Sequence, residues 1–310
     1  MTAGRLTILS AAERPYCAAL LAGFAARHPG VEVDFVFGIS TALHQRYLAA
    51  HAAGGAMPDL YWSSAMDQLM GLVLEGHAEP HGVAHALPPG CDWRGLALAT
   101  TREPVFTLLR GPVAPAGSFG EIAALIGADP ARFAGRVAMP DIEANGLGFL
   151  ALLDASLRDP GFEAGLDALA ACTPFLGGSA PSLVNHGGQL AVHVLGAYAL
   201  RAEAAGQGGG NPVIAPSAAP APAVARLAFI PKRAANPAAA SAFLAHLVSP
   251  EGQAALAEGG FWPVTQPPPR PIAPIALDED FPRLLDPARR AALLARWRDA
   301  VGRQPGGTTA

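Results

Sequence analysis

Five hydroxyl residues stand where short apolar stretches end in the first 64 residues. Ser10 follows Leu6 to Leu9, Ser40 and Thr41 follow VEVDFVF and Gly38, and Ser63 and Ser64 follow MPDLYW. Hydroxyls beside the free N–H groups that open helices can hold an anion without a fixed positive charge. Asn145 and Gly146 occupy the same kind of junction between RVAMPD and the apolar run FLALLDASLRD. Ser182 in FLGGSAPSLVNHGGQ and His193 and Tyr198 in LAVHVLGAYAL complete the candidate ligand-binding set. His193 either faces a ligand or is a buried strand histidine, and the sequence leaves both open. Nucleophilic and nucleotide chemistry lack their motifs: there is no GxSxG elbow, no HExxH, no Walker sequence and no GxGxxG after a strand. No catalytic residue and no cofactor are therefore expected. His77, His81 and His85 recur at four-residue intervals, a spacing that holds a metal on an unbroken helix. Pro80 and Gly82 break any such helix, so no metal site is expected. Cys17, Cys91 and Cys172 form no CxxC pair and read as structural free cysteines.

The elements that position these residues follow from periodicity. Val31, Val33, Phe35 and Phe37 alternate with Glu32, Asp34 and Val36, which predicts a strand with one buried face. Gly38 supplies a turn, Ser40 or Thr41 can cap the next helix, and that helix runs to about Ala53 on Leu43, Tyr47, Leu48 and Ala52. Gly54-Gly55 ends it before a strand from Asp59 to Trp62. A crossover of that length implies parallel strands, and ligands of open α/β sheets collect beyond their carboxyl ends. Upstream, Leu6 to Leu9 predict a strand and Glu13 to Arg27 a helix with Tyr16, Leu20, Leu21 and Phe24 on one stripe. Downstream, a helix is predicted from Asp67 to Glu75 and an extended stretch over 97–110 that leaves the first unit. A second α/β unit follows, with a strand over 136–141, its helix, Ser179 and Ser182 as candidate caps, and a strand then helix over 190–200. Residues 206–223 read as a Gly/Pro-rich linker, VARLAFIPK as a strand, and 236–246, 250–258 and 287–301 as helices.

The composition bounds the function. With 310 residues, 51% hydrophobic, 15% charged and a net charge of −4, the chain has the make-up of an ordered, two-domain protein without a nucleic-acid surface. No apolar run approaches the roughly 18 residues that span a membrane. MTAGR leads straight into LTILS with no h-region, so either an export signal has been removed or the protein is cytoplasmic.

The stretch RLAFIPKRAANPAAASAFLAHLVSPEGQAALAEGGFWPV, 226–264, resembles the closing third of periplasmic substrate-binding proteins of ABC importers, in the group that includes ferric-iron-binding proteins. Further matches are ILSAAE at 8–13, HPGVEV, GGAMPDLYWSS at 54–64, LEGHAEPH at 74–81, TREP at 101–104 and VLGAYAL at 194–200. The resemblance implies an α/β fold of the type II periplasmic-binding-protein class, with two lobes, a two-strand hinge and a cleft between them. Residues 1–103 and 226–310 would form lobe 1 and residues 104–225 lobe 2, with crossovers near 100–106 and 223–230. The two sets of strand-end residues would then face each other across the cleft. It also implies a monomer in the periplasm that delivers a small solute, expected to be anionic, to an ABC permease in the inner membrane. Alternatives are a ferric-iron-binding protein, a solute sensor for a membrane receptor and, last, an enzyme. Iron-binding relatives carry adjacent tyrosines after the strand matching 190–194; here that place reads VHVLGAY, with Val192 where several have tyrosine. Iron held by paired tyrosines is therefore disfavoured.

Overall fold

A computed structural model of the chain describes residues 4–205, 211–268 and 270–302. The chain splits into two compact units: Met1–Glu103 with Val224–Pro269 and Pro274–Phe281, and Pro104–Ala223 with Arg270–Ala273 and Pro282–Ala310. Each builds an α/β sheet.

In the first unit, strand β1 (Gly4–Ser10) pairs in parallel with β2 (Val31–Phe37) over its whole length and with β3 (Leu60–Ser63) at its carboxyl end. Helices α1 (Ala18–Arg27), α2 (Ser40–Ala52) and α3 (Met66–Leu74) follow these strands in turn. Two short strands, β4 (Ala78–Glu79) and β5 (Asp92–Trp93), precede the long β6 (Ala97–Leu109). Leu20 and Phe24 of α1 cover Leu6, Ile8 and Leu60, together with Phe243, Leu244 and Leu247 from further along the chain. The Phe24 and Phe243 rings meet edge to face at 5.0 Å. The expected buried face of β2 holds for Val31 and Phe35 but not for Phe37, which is 51% exposed. β2 is the outermost strand of the sheet, beside β1, and its last residue is exposed. The helix expected from Glu13 begins as a 3-10 turn, Arg14–Cys17, with Pro15 in its first turn.

In the second unit, β6 continues past Glu103 and is followed by α4 (Phe119–Ala128), α5 (Pro130–Phe133), β7 (Val137–Pro140), α6 (Gly146–Arg158), α7 (Phe162–Ala171), β8 (Phe175–Gly177), α8 (Ala180–Asn185), β9 (Leu190–Leu195) and α9 (Gly196–Ala204). β7 lies parallel between β8 and β9, and β9 runs antiparallel to β6. α4, α5 and α7 are elements not expected from the sequence, yet Ser118 and Glu121 form a full capping box at the start of α4. Ser-x-x-Glu before an apolar run was the available signal. The expected linker over 206–223 contains a short strand, β10 (Val213–Ile214), that pairs with β6; residues 206–210 lie outside the described residues.

β11 (Ala221–Pro231) brings the chain back to the first unit, and α10 (Pro237–Val248) and α11 (Pro250–Glu258) pack there. After β12 (Ile272–Pro274), the last helix α12 (Pro287–Val301) returns to the second unit. This corrects the expected assignment of 226–310 as a whole to the first lobe. Arg296 pairs with Glu163 and Asp167 of α7, Arg298 pairs with Glu143, and the Arg290 guanidinium lies 4.1 Å from the Phe149 ring. These partners, together with buried Trp297, hold α12 on the second unit.

Candidate functional site

The carboxyl ends of β1, β2 and β3 bring Ser10, Ser40, Thr41, Ser63 and Ser64 to one edge of the first unit's sheet. Two of these hydroxyls are already engaged. Ser10 Oγ accepts the N–H of Ala12 at 3.0 Å and Ser63 Oγ accepts that of Ala65 at 3.2 Å, the same two-residue turn at both strand ends. Ser64 differs: it is 7% exposed, and its hydroxyl has no hydrogen-bond partner among the described residues. Ser40 and Thr41 are the first two residues of α2 rather than its cap. The N-cap is Ile39, which offers no side-chain acceptor. Ala65 occupies the same place before α3, again with no side-chain cap. Both helices thus open with an aliphatic residue where a hydroxyl or amide usually stands.

The edge is not purely neutral. Asp67, in the first turn of α3, is buried, and it is not among the residues expected from the sequence. A carboxylate in a helix's first turn complements the dipole, so periodicity reads it as a solvated helix start. Only the packing of α3 shows that it is buried. Beneath α2, Tyr47 and Tyr61 stack with ring centroids 5.6 Å apart, and burial pushes the Tyr47 phenol up to about 12. Tyr61 is shifted in the same direction by burial and then by the nearby Asp67 charge.

In the second unit, Asn145 is the N-cap of α6: its Oδ1 accepts the N–H of Gly148 at 2.9 Å, and Gly146 is the first helical residue. Asp141, just before it, is buried, and its carboxylate accepts the N–H of Glu143 at 3.1 Å. Ser179 caps α8, and Ser182 is its reciprocal partner at the third helical position, so Ser182 is committed to the fold. Tyr198 lies in the first turn of α9 with the Arg201 guanidinium 5.4 Å from its ring. The N-cap of α9 is Leu195, a third aliphatic cap.

His193 is buried, and its Nδ1 has no hydrogen-bond partner among the described residues. It is 8% exposed and edge-on to Phe119 at 5.5 Å. Between the pairs Phe106↔Val194 and Leu108↔Ala191, β6 supplies one residue and β9 supplies two, Val192 and His193. This is a β-bulge, and His193 absorbs it with a φ of +54°. Burial pushes its imidazole down to about 4, against the opposing charge of Asp159. The ring is neutral at pH 7.

The loop histidines separate. His77 sits with Tyr47 and His51, whereas His81 and His85 converge on Asp92. The three cysteines are buried and none forms a disulfide. No helix among the described residues is long and apolar enough to cross a membrane.

A search of curated proteins finds no match. Among solved structures, the substrate-binding protein of an ABC transporter from Agrobacterium tumefaciens superposes with a TM-score of 0.89 at 22% identity, over 96% of this chain and 94% of that one. The periplasmic binding protein AfuA from Actinobacillus pleuropneumoniae, with exogenous fructose-6-phosphate bound, gives a TM-score of 0.74 at 16% identity over 96% and 99%. The apo ferric ion-binding protein A of Pasteurella haemolytica gives 0.72 at 14% identity over 98% and 99%. These likenesses establish the type II periplasmic-binding-protein fold. The sequence pattern of bacterial extracellular solute-binding proteins matches residues 6–262, most of the chain, and on that ground the chain belongs to the bacterial extracellular solute-binding protein family.

Proposed function

We propose that this family member captures a small acidic solute that also carries hydroxyl or amino donors, and delivers it as a periplasmic monomer to an ABC permease in the inner membrane. The observation that carries this reading is the choice of N-caps. Helices α4, α5, α6, α8, α10, α11 and α12 are closed by Ser, Asp or Asn side chains. Helices α1, α2, α3, α7 and α9 begin with no side-chain cap, and three of them, α2, α3 and α9, follow the carboxyl ends of β2, β3 and β9 after Ile39, Ala65 and Leu195. A missing cap costs about 1 kcal/mol, and a helix N-terminus without a side-chain cap at a strand end suits an anionic group. The unpartnered hydroxyl of Ser64, immediately before the α3 cap, adds a donor. Buried Asp67 and Asp141 favour a solute with donors of its own over a bare anion. The sugar phosphate named for the Actinobacillus relative has both properties.

Ferric iron receives less support. Of the four tyrosines, Tyr47 and Tyr61 are buried with their phenols held protonated, and Tyr198 lies against Arg201. Native mass spectrometry of the purified protein, followed by calorimetric titration with sugar phosphates and hydroxy or amino acids, tests the proposal. Ser64→Ala is expected to weaken the best ligand by roughly tenfold, about 1.4 kcal/mol. An uncharged or cationic best ligand, unchanged affinity in Ser64→Ala, or a visible phenolate-to-iron band on adding ferric iron would overturn it.

A further inference from the structure

The loop between β4 and β5 carries a cluster that solute capture does not use. Residues 80–91 contain no helix or strand, and no disulfide ties them down. His81, His85 and Asp92 meet there, with one ligating atom from each lying within 4.8 Å of the others. The regular spacing of His77, His81 and His85 plays no part. His77 lies apart with Tyr47 and His51, and the third member of the cluster is a carboxylate from β5.

Both Nε2 atoms approach Asp92. His85 Nε2 is 3.0 Å from Oδ2, an ordinary hydrogen bond, whereas His81 Nε2 is 3.6 Å from Oδ1, too far for one. His81 is 3% exposed, and its Nε2 is buried with no hydrogen-bond partner among the described residues. A buried ring nitrogen left unpaired calls for an explanation. A metal ion shared by the three side chains supplies one. Tetrahedral zinc, with ligands at about 2.0–2.2 Å, sets those ligands about 3.3 Å apart, between the two separations measured here.

The frame around the cluster is already fixed. The N–H of His81 donates to Gly95 O at 2.9 Å, and Ser241 Oγ of α10 donates to His81 O at 2.9 Å. The N–H of Gly95 donates to Asp92 Oδ1 at 2.7 Å and orients the carboxylate, as outer donors do around metal ligands. The side chains of His85 and Asp92 are 17% and 31% exposed, so an ion can enter from their side. One interaction opposes loading. His81 Nδ1 accepts the N–H of Val83 at 3.0 Å, and His85 Nδ1 accepts that of Leu87 at 3.4 Å. A ring that coordinates through Nε2 carries its proton on Nδ1, so both contacts are given up. Two neutral hydrogen bonds are a small cost beside metal coordination.

We propose that His81, His85 and Asp92 form a binding site for a divalent ion of the zinc type, which clamps the loop between β4 and β5 onto the first unit. Two imidazoles and one carboxylate select such an ion over calcium or magnesium, which take oxygen ligands. The fourth position of a tetrahedral ion is left to solvent. Closing an otherwise irregular loop through its side chains is the kind of constraint by which a metal clip stabilises a fold.

Calorimetric titration of the intact, chelator-treated protein with zinc chloride at neutral pH tests the site. One equivalent is expected to bind with a Kd below about 100 µM, and excess magnesium should not displace it. The Val83 and Leu87 amides and the rings of His81 and His85 should shift in nuclear magnetic resonance spectra on loading, while β1 amides stay in place. His81→Gln and Asp92→Asn should each weaken zinc by roughly tenfold or more, and His77→Gln should leave it unchanged. Weaker binding by the wild type, affinity untouched by His81→Gln, or loss of the equivalent in His77→Gln would overturn the proposal. If a variant does not fold, the wild-type spectra still decide, since zinc that leaves the His81 and His85 rings unshifted is bound elsewhere.

Discussion

His193 makes the stability of the second unit depend on pH in a calculable way. Its imidazole is enclosed beside Phe119 and pushed down to about 4 by burial. The unfolded chain binds the same proton near pH 6.5. Because the folded value is the lower one, the neutral ring's contribution is fully present above pH 6.5 and is lost as pH falls towards 4. Each unit of the gap is worth about 1.4 kcal/mol, so the loss totals about 3 kcal/mol and then levels off. This is a large part of the typical 5–15 kcal/mol of a folded protein. Asparagine suits the test, since it tolerates the positive φ of the bulge and does not titrate. Urea unfolding followed by fluorescence of Trp297, the one tryptophan in the second unit, reports on the correct part of the chain. The stability difference between wild type and His193→Asn should move in favour of the variant by about 3 kcal/mol between pH 7 and pH 4. Other titrating groups, including His81 and His246, cancel in that difference. Parallel curves for the two proteins would refute the reasoning.

Two further outcomes concern packing. Glu103 and Arg226 are 0% and 1% exposed, with Arg226 Nε 3.4 Å from Glu103 Oε1 and its guanidinium 5.5 Å and 5.2 Å from the ring centroids of Trp62 and Phe261. Arg226→Met alone should cost the first unit about 3 to 5 kcal/mol by stranding a buried carboxylate, and adding Glu103→Gln should recover part of it, both read by urea unfolding. Gly165→Ala would place a Cβ against Phe119 O, where α7 packs on α4. It should destabilise the second unit by about 1 to 3 kcal/mol in the same assay, and a neutral result would show that the two helices can separate without cost.

The sequence alone determined the alternation of strands and helices in the first 64 residues, because each element there carries its own period and turn residues. Val31 and Phe35, the stripe of Leu20, Leu21 and Phe24, and the Asn236 and Ser249 helix starts are local patterns that the fold follows. The serines at strand ends were legible for the same reason. Their roles were not: whether a hydroxyl closes a turn, as in Ser10 and Ser63, or stays unpartnered, as in Ser64, depends on which backbone N–H lies within 3 Å or so. Tertiary structure alone decided that Phe37 lies on an outer strand, that Asp67 is buried and that α12 rejoins the second unit through Arg296 and Arg298. It also decided the surroundings of His193 and of the loop histidines. A one-residue mismatch between β6 and β9 creates the bulge that encloses His193, and Asp92 gathers His81 and His85 across a loop whose Pro80 and Gly82 hide any periodicity. Both depend on the register and packing of segments distant in the chain, which composition and spacing do not encode.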